Sequence, residues 1–238
     1  MLRGVPDLDA LETLLCAPEI PDAATVQALW SDLSPEQQED AAALALQQGH
    51  PRLALSWSAS PWVRFPALLR LGEAQQARAL LAQLSDSARR AVLEARASAQ
   101  LREPQALTLA QAARSQARRE GDAAALIAAA TLLSELELAG GALMTALRSL
   151  AEGLKVAELT GAAADPHLLA VLAHVQARVG SPAKARQTAE RALGRSLPRS
   201  PARVLALLAL GRGDEARQEA QGGELAAVWW GWLEHLTE

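Results

Sequence analysis

Asparagine and tyrosine are missing from this 238-residue chain, and cysteine and phenylalanine occur once each. With Cys16 alone, no internal disulfide can form and a zinc site built from several thiolates is excluded. Aromatic residues make up 3% of the chain and hydrophobic residues 50%. Ala and Leu must therefore build the interior, which favours closely packed helices over a thick β-sandwich core. Lysine (Lys155, Lys184) and isoleucine (Ile20, Ile127) are reduced to two each against many Arg and Ala. GC-rich coding DNA produces this usage by itself, so part of the alanine and arginine richness carries no structural information.

Long apolar runs are missing as well. The longest stretches free of Asp, Glu, Lys and Arg, Ala123–Ser134 and Pro166–Ala177, have twelve residues each, and a membrane span needs roughly 18. The start Met1–Asp7 runs into Asp9 and Glu12 and lacks the apolar core of a signal peptide. These absences, with the single thiol, predict a soluble cytoplasmic protein without a membrane span. Catalytic motifs are also lacking: there is no Gly-rich phosphate loop ending in Lys-Ser/Thr, no His-Glu-x-x-His and no Gly-x-Ser-x-Gly. Glu135 and Glu137, two residues apart, point to different faces of a helix and do not form a carboxylate pair. Cys16, next to Leu14 and Leu15 and with no neighbouring histidine, is expected to be an inert buried thiol. The reading is of a protein that is not an enzyme and takes no cofactor or metal.

The net charge of −4 is unevenly spread. Residues 1–50 hold nine acids (Asp7, Asp9, Glu12, Glu19, Asp22, Asp32, Glu36, Glu39, Asp40) against Arg3 alone. Residues 178–217 hold nine bases (Arg178, Lys184, Arg186, Arg191, Arg195, Arg199, Arg203, Arg212, Arg217) against three acids. Such a dipole bears on association and not on fold.

What the chain has in quantity is helix punctuation. Gly49–Ala54, Gly72–Ala77, Gly141–Ala146, Gly180–Ala185 and Gly211–Ala216 repeat one device, a glycine followed five residues later by alanine. Glycine supplies the left-handed residue that closes a helix, and alanine lets the next helix pack back closely. Helix starts are as legible. Ser34-Pro35-Glu36-Gln37 offers an N-cap, proline at the first helical position and a capping-box glutamine. Ser60-Pro61, Asp165-Pro166, Ser181-Pro182 and Ser200-Pro201 repeat the cap-then-proline pattern. Apolar residues recur at three and four, as in Leu168, Leu169, Val171, Leu172, Val175 and Val179, and no segment sustains period-two alternation.

Helices are predicted over 7–16, 22–32 and 224–236, with six pairs between: 35–48/51–58, 61–71/73–84, 87–101/104–120, 122–139/142–160, 166–179/182–194 and 201–210/214–221. Their short connections make successive helices antiparallel neighbours. The fold class is all-α, one domain over 1–238, with N-terminal helices in 1–34, six pairs in 35–221 and a Trp-rich capping helix in 222–238. The element Leu168…Leu172-Ala173…Val179-Gly180…Ala185…Ala189…Leu193 resembles a tetratricopeptide repeat. Residues 61–84 and 201–221 match more weakly, and the longer helices of 86–160 fit poorly. The resemblance implies a right-handed, degenerate α-solenoid whose concave surface binds peptides or protein segments.

Three groups of residues are candidates for a site. Trp229, Trp230 and Trp232 lie in the last predicted helix, which caps the final repeat or meets a partner; the acids Glu224, Glu234 and Glu238 argue against a membrane surface. His167, His174 and Arg178 share one face of helix 166–179, either a solvated polar stripe or the lining of a groove. The two histidines stand about 10 Å apart along the axis, too far to share a metal ion. With Arg203 from the basic region, these seven are the candidate partner-binding residues. Arg186, Arg191 and Arg217 are the alternative, a nucleic-acid contact, but no aromatic residue interleaves them for base stacking and Glu190 can neutralise Arg186. The leading expectation is a non-enzymatic scaffold for a protein or peptide partner. Self-association, with the acidic start meeting the basic end or the Trp helices pairing, and a nucleic-acid-linked regulator stand behind it.

Overall fold

The computed structural model describes residues 8–17 and 23–236, and these form fourteen α-helices with no strand among them. The expected helices over 7–16 and 22–32 are α1 (Leu8–Leu15) and α2 (Ala23–Ser31). The Met1–Asp7 start, the acids Glu19 and Asp22, and Glu238 lie outside the described residues. Six pairs follow: α3 (Pro35–Gln47) with α4 (Pro51–Trp57), α5 (Pro61–Arg70) with α6 (Ala74–Ala79), and α7 (Ala88–Gln100) with α8 (Ala106–Glu120). Then come α9 (Ala123–Ala139) with α10 (Leu143–Leu159), α11 (Pro166–Arg178) with α12 (Pro182–Arg195), and α13 (Pro201–Ala209) with α14 (Gly213–Gly222). The two helices of every pair pack on each other. Connections of three to five residues leave them no other arrangement than antiparallel.

The local signals act as their chemistry requires. Ser34 forms a capping box with Gln37, and the Asp165 and Ser200 side chains accept from the backbone N–H of Leu168 and Arg203. Ser60 and Ser181 hold the N-cap position without a side-chain cap bond, leaving proline as the start signal there. At the other end, the five hinge glycines have φ between +73° and +91°. Each closes its helix with the same two backbone bonds. At Gly72 these are Glu73 N–H to Leu68 O at 2.8 Å and Gly72 N–H to Leu69 O at 3.1 Å. Corresponding bonds occur at Gly49, Gly141, Gly180 and Gly211. The alanines five residues on (Ala54, Ala77, Ala146, Ala185 and Ala216) are all buried, at 4% exposure or less. Arg102 takes the glycine role at the end of α7, with φ +55°.

Alanine dominates the contacts between helices. Ala129 and Ala130 of α9, Ala146 of α10, and Ala170 and Ala173 of α11 are fully buried; such small side chains permit short interaxial distances. Closest of all is the crossing at Gly153 in α10, where an added Cβ would stand 2.4 Å from Leu168 Cδ1. A glycine inside a helix costs about 1 kcal/mol against alanine, and here it makes room for a core leucine.

The first helices of successive pairs also pack on one another: α5 on α7, α7 on α9, α9 on α11, and α11 on α13. They form an inner layer, with α6, α8, α10, α12 and α14 outside it. Two predicted helices differ from expectation. The helix over 73–84 stops at Ala79 and continues as a 3-10 turn, Leu81–Gln83, so that Leu80, Leu81 and Leu84 reach the cluster around Phe65. The helix over 224–236 is not α-helical: it is two 3-10 turns, Ala227–Trp229 and Gly231–Leu236. Gly223 and a left-handed Glu224 (φ +49°) follow α14 and separate the segment from it, and Trp230 stands between its two turns.

Candidate functional site

The C-terminal segment 224–236 lies across the inner layer. Leu225 anchors it in the apolar cluster of α13 and α14 with Val204, Leu207 and Ala216. It then runs to α5, whose last carbonyls have no partner within the helix. Ala226 N–H donates to Arg70 O at 2.9 Å, and the Trp229 indole N–H donates to Leu69 O at 2.9 Å. Gln100 of α7 donates to the same Leu69 carbonyl at 3.1 Å. The approach is close: a Cβ on Gly72 would stand 2.8 Å from Ala226 Cβ.

Trp229 is held on several sides. The Arg96 guanidinium of α7 lies over its ring at 5.1 Å, and the His167 ring of α11 meets it edge-on at 6.1 Å. Trp232 meets His174 edge-on at 5.9 Å and donates its N–H to Trp229 O at 3.0 Å. Trp230 packs against the clusters of α11, α13 and α14.

Beneath Trp229 sits an ionic cluster. Glu135 of α9, its side chain 4% exposed, takes both Arg96 guanidinium nitrogens and accepts from His167 Nε2 at 2.7 Å. Burial pushes the Glu135 carboxyl up, but the Arg96 charge and the His167 hydrogen bond overcome it and hold it at about 2. The ionised carboxylate fixes the proton of His167 on Nε2. His174 Nε2 donates to Leu205 O at 2.9 Å, and burial lowers its pKa to about 4, so it is neutral at pH 7. On the opposite side of α9, Glu137 accepts from Ser149 at 2.9 Å, and burial pushes its pKa up. The two carboxylates thus serve separate partners, as their spacing required.

A second long-range junction joins the early and late parts of the chain. Arg199, in the α12–α13 connection with φ +58°, donates to Leu15 O at 3.2 Å, to His50 Nε2 at 2.7 Å and to Ala17 O. Arg70 donates to Leu46 O at 2.8 Å and to Arg199 O. Burial lowers the pKa of His50, with the Arg199 and Arg70 charges acting in the same direction against a favourable backbone contact. Burial likewise takes Arg70 down to about 10 against the pull of Glu224.

Of the seven candidate residues, the structure brings together His167, His174, Trp229, Trp230 and Trp232. The polar stripe expected on α11 is a half-buried floor beneath the tryptophans, because both rings face the inner layer and find fixed acceptors there. Arg178 is exposed at the end of α11, and Arg203 is tied to Glu219 of α14 at 2.5 Å. Arg186 pairs with Glu190 at 3.1 Å and Arg217 with Asp214, while Arg191 is exposed. Arg186 and Arg191 lie on α12 and Arg217 on α14. Cys16 corrects an expectation: its thiol is exposed, because Leu11 and Leu15 take the buried face of α1. Among the described residues no three His, Cys, Asp or Glu side chains form a metal-ligand set, and no helix is long and apolar enough to cross a membrane.

The residues missed in the sequence are Arg96, Glu135 and the carbonyls of Leu69 and Arg70. A usable signal existed for Glu135: a carboxylate on a helix whose preceding twelve residues carry no charge needs a cationic partner from elsewhere. Comparison with protein-family models, curated proteins and solved structures yields no match.

Proposed function

We propose that this protein is a non-enzymatic interaction scaffold of tetratricopeptide-like, right-handed superhelical build whose inner helix layer receives a protein segment. One observation carries the reading: segment 224–236, which is not α-helical, is held across the inner helices by main-chain acceptors, a guanidinium and two imidazoles. Those are the features of a peptide site, where backbone bonds supply affinity and aromatic anchors supply selection. The partner it fits carries tryptophan at comparable spacing, and the protein's own tail is the built-in occupant. The single cysteine accords with a reducing cytoplasmic setting.

The test uses the chain truncated after Gly223 and a fluorescent peptide of residues 224–238. Binding in trans, weakened about tenfold or more by Arg96→Ala through loss of the cation–π contact and the Glu135 pair, supports the reading. A truncated chain that remains helical by circular dichroism but leaves the peptide free would refute it. Should truncation unfold the protein, the full-length Trp229→Ala/Trp232→Ala variant opens the same surface and is held to the same criterion.

A further inference from the structure

The tail does not fill the space beside the inner helices. A cavity of about 280 Å³ borders Trp229 and Trp232, and a second of about 800 Å³ shares Trp229 and Arg96 with it. The larger one falls within the range of small-molecule sites, about 300–1,000 Å³. Its walls are apolar, with Leu69, Leu93, Ile127 and Trp229 among them.

The charged groups around this larger cavity do not balance. Arg96 and His167 are both committed to Glu135. Asp165 Oδ1 accepts from the Leu168 N–H as the cap of α11, so its charge is partly offset by that helix end. Arg195, at the end of α12, is exposed and makes no ion pair or hydrogen bond among the described residues. The first turns of α9 and α11 reach the same lining through Ala124, Pro166 and His167, but each carries its own carboxylate cap, Asp122 and Asp165, so Arg195 is the cation of the lining left without a partner among the described residues. An apolar chamber with an unpaired guanidinium at its edge suits a molecule that is apolar along its body and anionic at its head.

We propose that this cavity binds an amphiphilic carboxylate, such as a medium-chain fatty acid, with the chain against Ile127 and Trp229 and the carboxylate on Arg195. The cavity shares Trp229 and Arg96 with the segment site, so its test uses the full-length chain with the tail in place and does not require binding of a segment in trans.

Three ten-carbon probes distinguish head-group charge from mere hydrophobicity: decanoate, decanol and decyltrimethylammonium. Each is titrated below its micelle concentration into the full-length protein by calorimetry. Decanoate should bind about tenfold tighter than decanol, as a charge-assisted hydrogen bond to guanidinium provides, and the cation should bind most weakly. Arg195→Gln should bring decanoate to the decanol level. Ala128→Trp, at an exposed alanine of the cavity lining, should abolish all binding while the melting temperature stays within a few degrees. Absence of decanoate binding overturns the proposal, as does equal binding of decanol or of the cation. So does decanoate binding that survives Ala128→Trp, since the ligand would then lie elsewhere.

Discussion

The hinge at Gly180 and the tail at Trp229 show two ways of ordering a chain. At Gly180 the chain finds its partners within a few residues: Ser181 N–H reaches Gln176 O, Gly180 N–H reaches Ala177 O, and no atom from elsewhere comes within 4 Å of the glycine's open position. At Trp229 the hydrogen-bond acceptor is 160 residues away in sequence, and the stacking cation, the imidazole and the buried carboxylate come from three different helices. The first arrangement forms whenever the local sequence is right. The second forms only after α5, α7, α9 and α11 have been placed, so it reports on the whole assembly.

The strongest way to break the contrast is to remove the carboxylate beneath the tail. Glu135→Ala leaves Arg96 facing an empty place in a half-closed site, and the expected loss is about 3–5 kcal/mol of unfolding free energy in urea. Native helix content at zero denaturant should be largely retained, since the hinges do not depend on Glu135. Acid should act on the same region. His174 falls from 6.5 to about 4 on folding, so its stabilising effect is complete above pH 6.5 and is lost as the pH drops toward 4. The expected loss is about 3 kcal/mol over that window. A series of urea midpoints between pH 7.5 and 4 should show it, and His174→Gln should remove that share and leave the smaller one of His50, whose pKa burial also lowers.

A paired substitution sharpens the comparison. Gly180→Ala meets only the penalty of a left-handed alanine, about 1 kcal/mol. Gly72→Ala carries the same penalty and drives its Cβ to 2.8 Å from Ala226, so it should cost a further 1–2 kcal/mol, approximately. It should also raise exposure of Trp229 to iodide quenching, which Gly180→Ala should leave unchanged. Equal effects of the two would show that the tail is not seated on the α5 hinge. The smallest effect has the opposite sign. Arg102 occupies a glycine conformation at φ +55°, and Arg102→Gly should raise stability by about 0.5–1 kcal/mol in thermal melts.

Much of the helical framework was legible because its determinants are short-range. Ser34 and Gln37, the five Ser/Asp-Pro helix starts, and the five glycine–alanine pairs specify dihedrals and turns over short range. The exceptions have physical causes. Arg102 carries no glycine to mark its turn, Pro66 lies inside α5 without ending it, and the Trp-rich segment reads as helical although its indoles are drawn to partners on separate helices. His167 and His174 were legible as one stripe, but not as the floor of a tryptophan site. Glu135 was weighed only against Glu137, since nothing in the local sequence points to Arg96, 39 residues earlier.

By itself the sequence determined that the described chain is all-helical, where most of its helices begin and end, and that they come in tight pairs with alanine at the contacts. These follow from hydrogen bonds and steric limits spanning fewer than about six residues. Only the tertiary structure decided which helices form the inner layer, that Glu135 is held ionised between Arg96 and His167, and that the tryptophan segment crosses to α5 instead of extending α14. Those outcomes depend on where distant backbones stand relative to one another. The Leu69 carbonyl at the end of α5, which the Gly72 hinge already uses, gains Trp229 as a further donor only once the last pair has been brought beside the second.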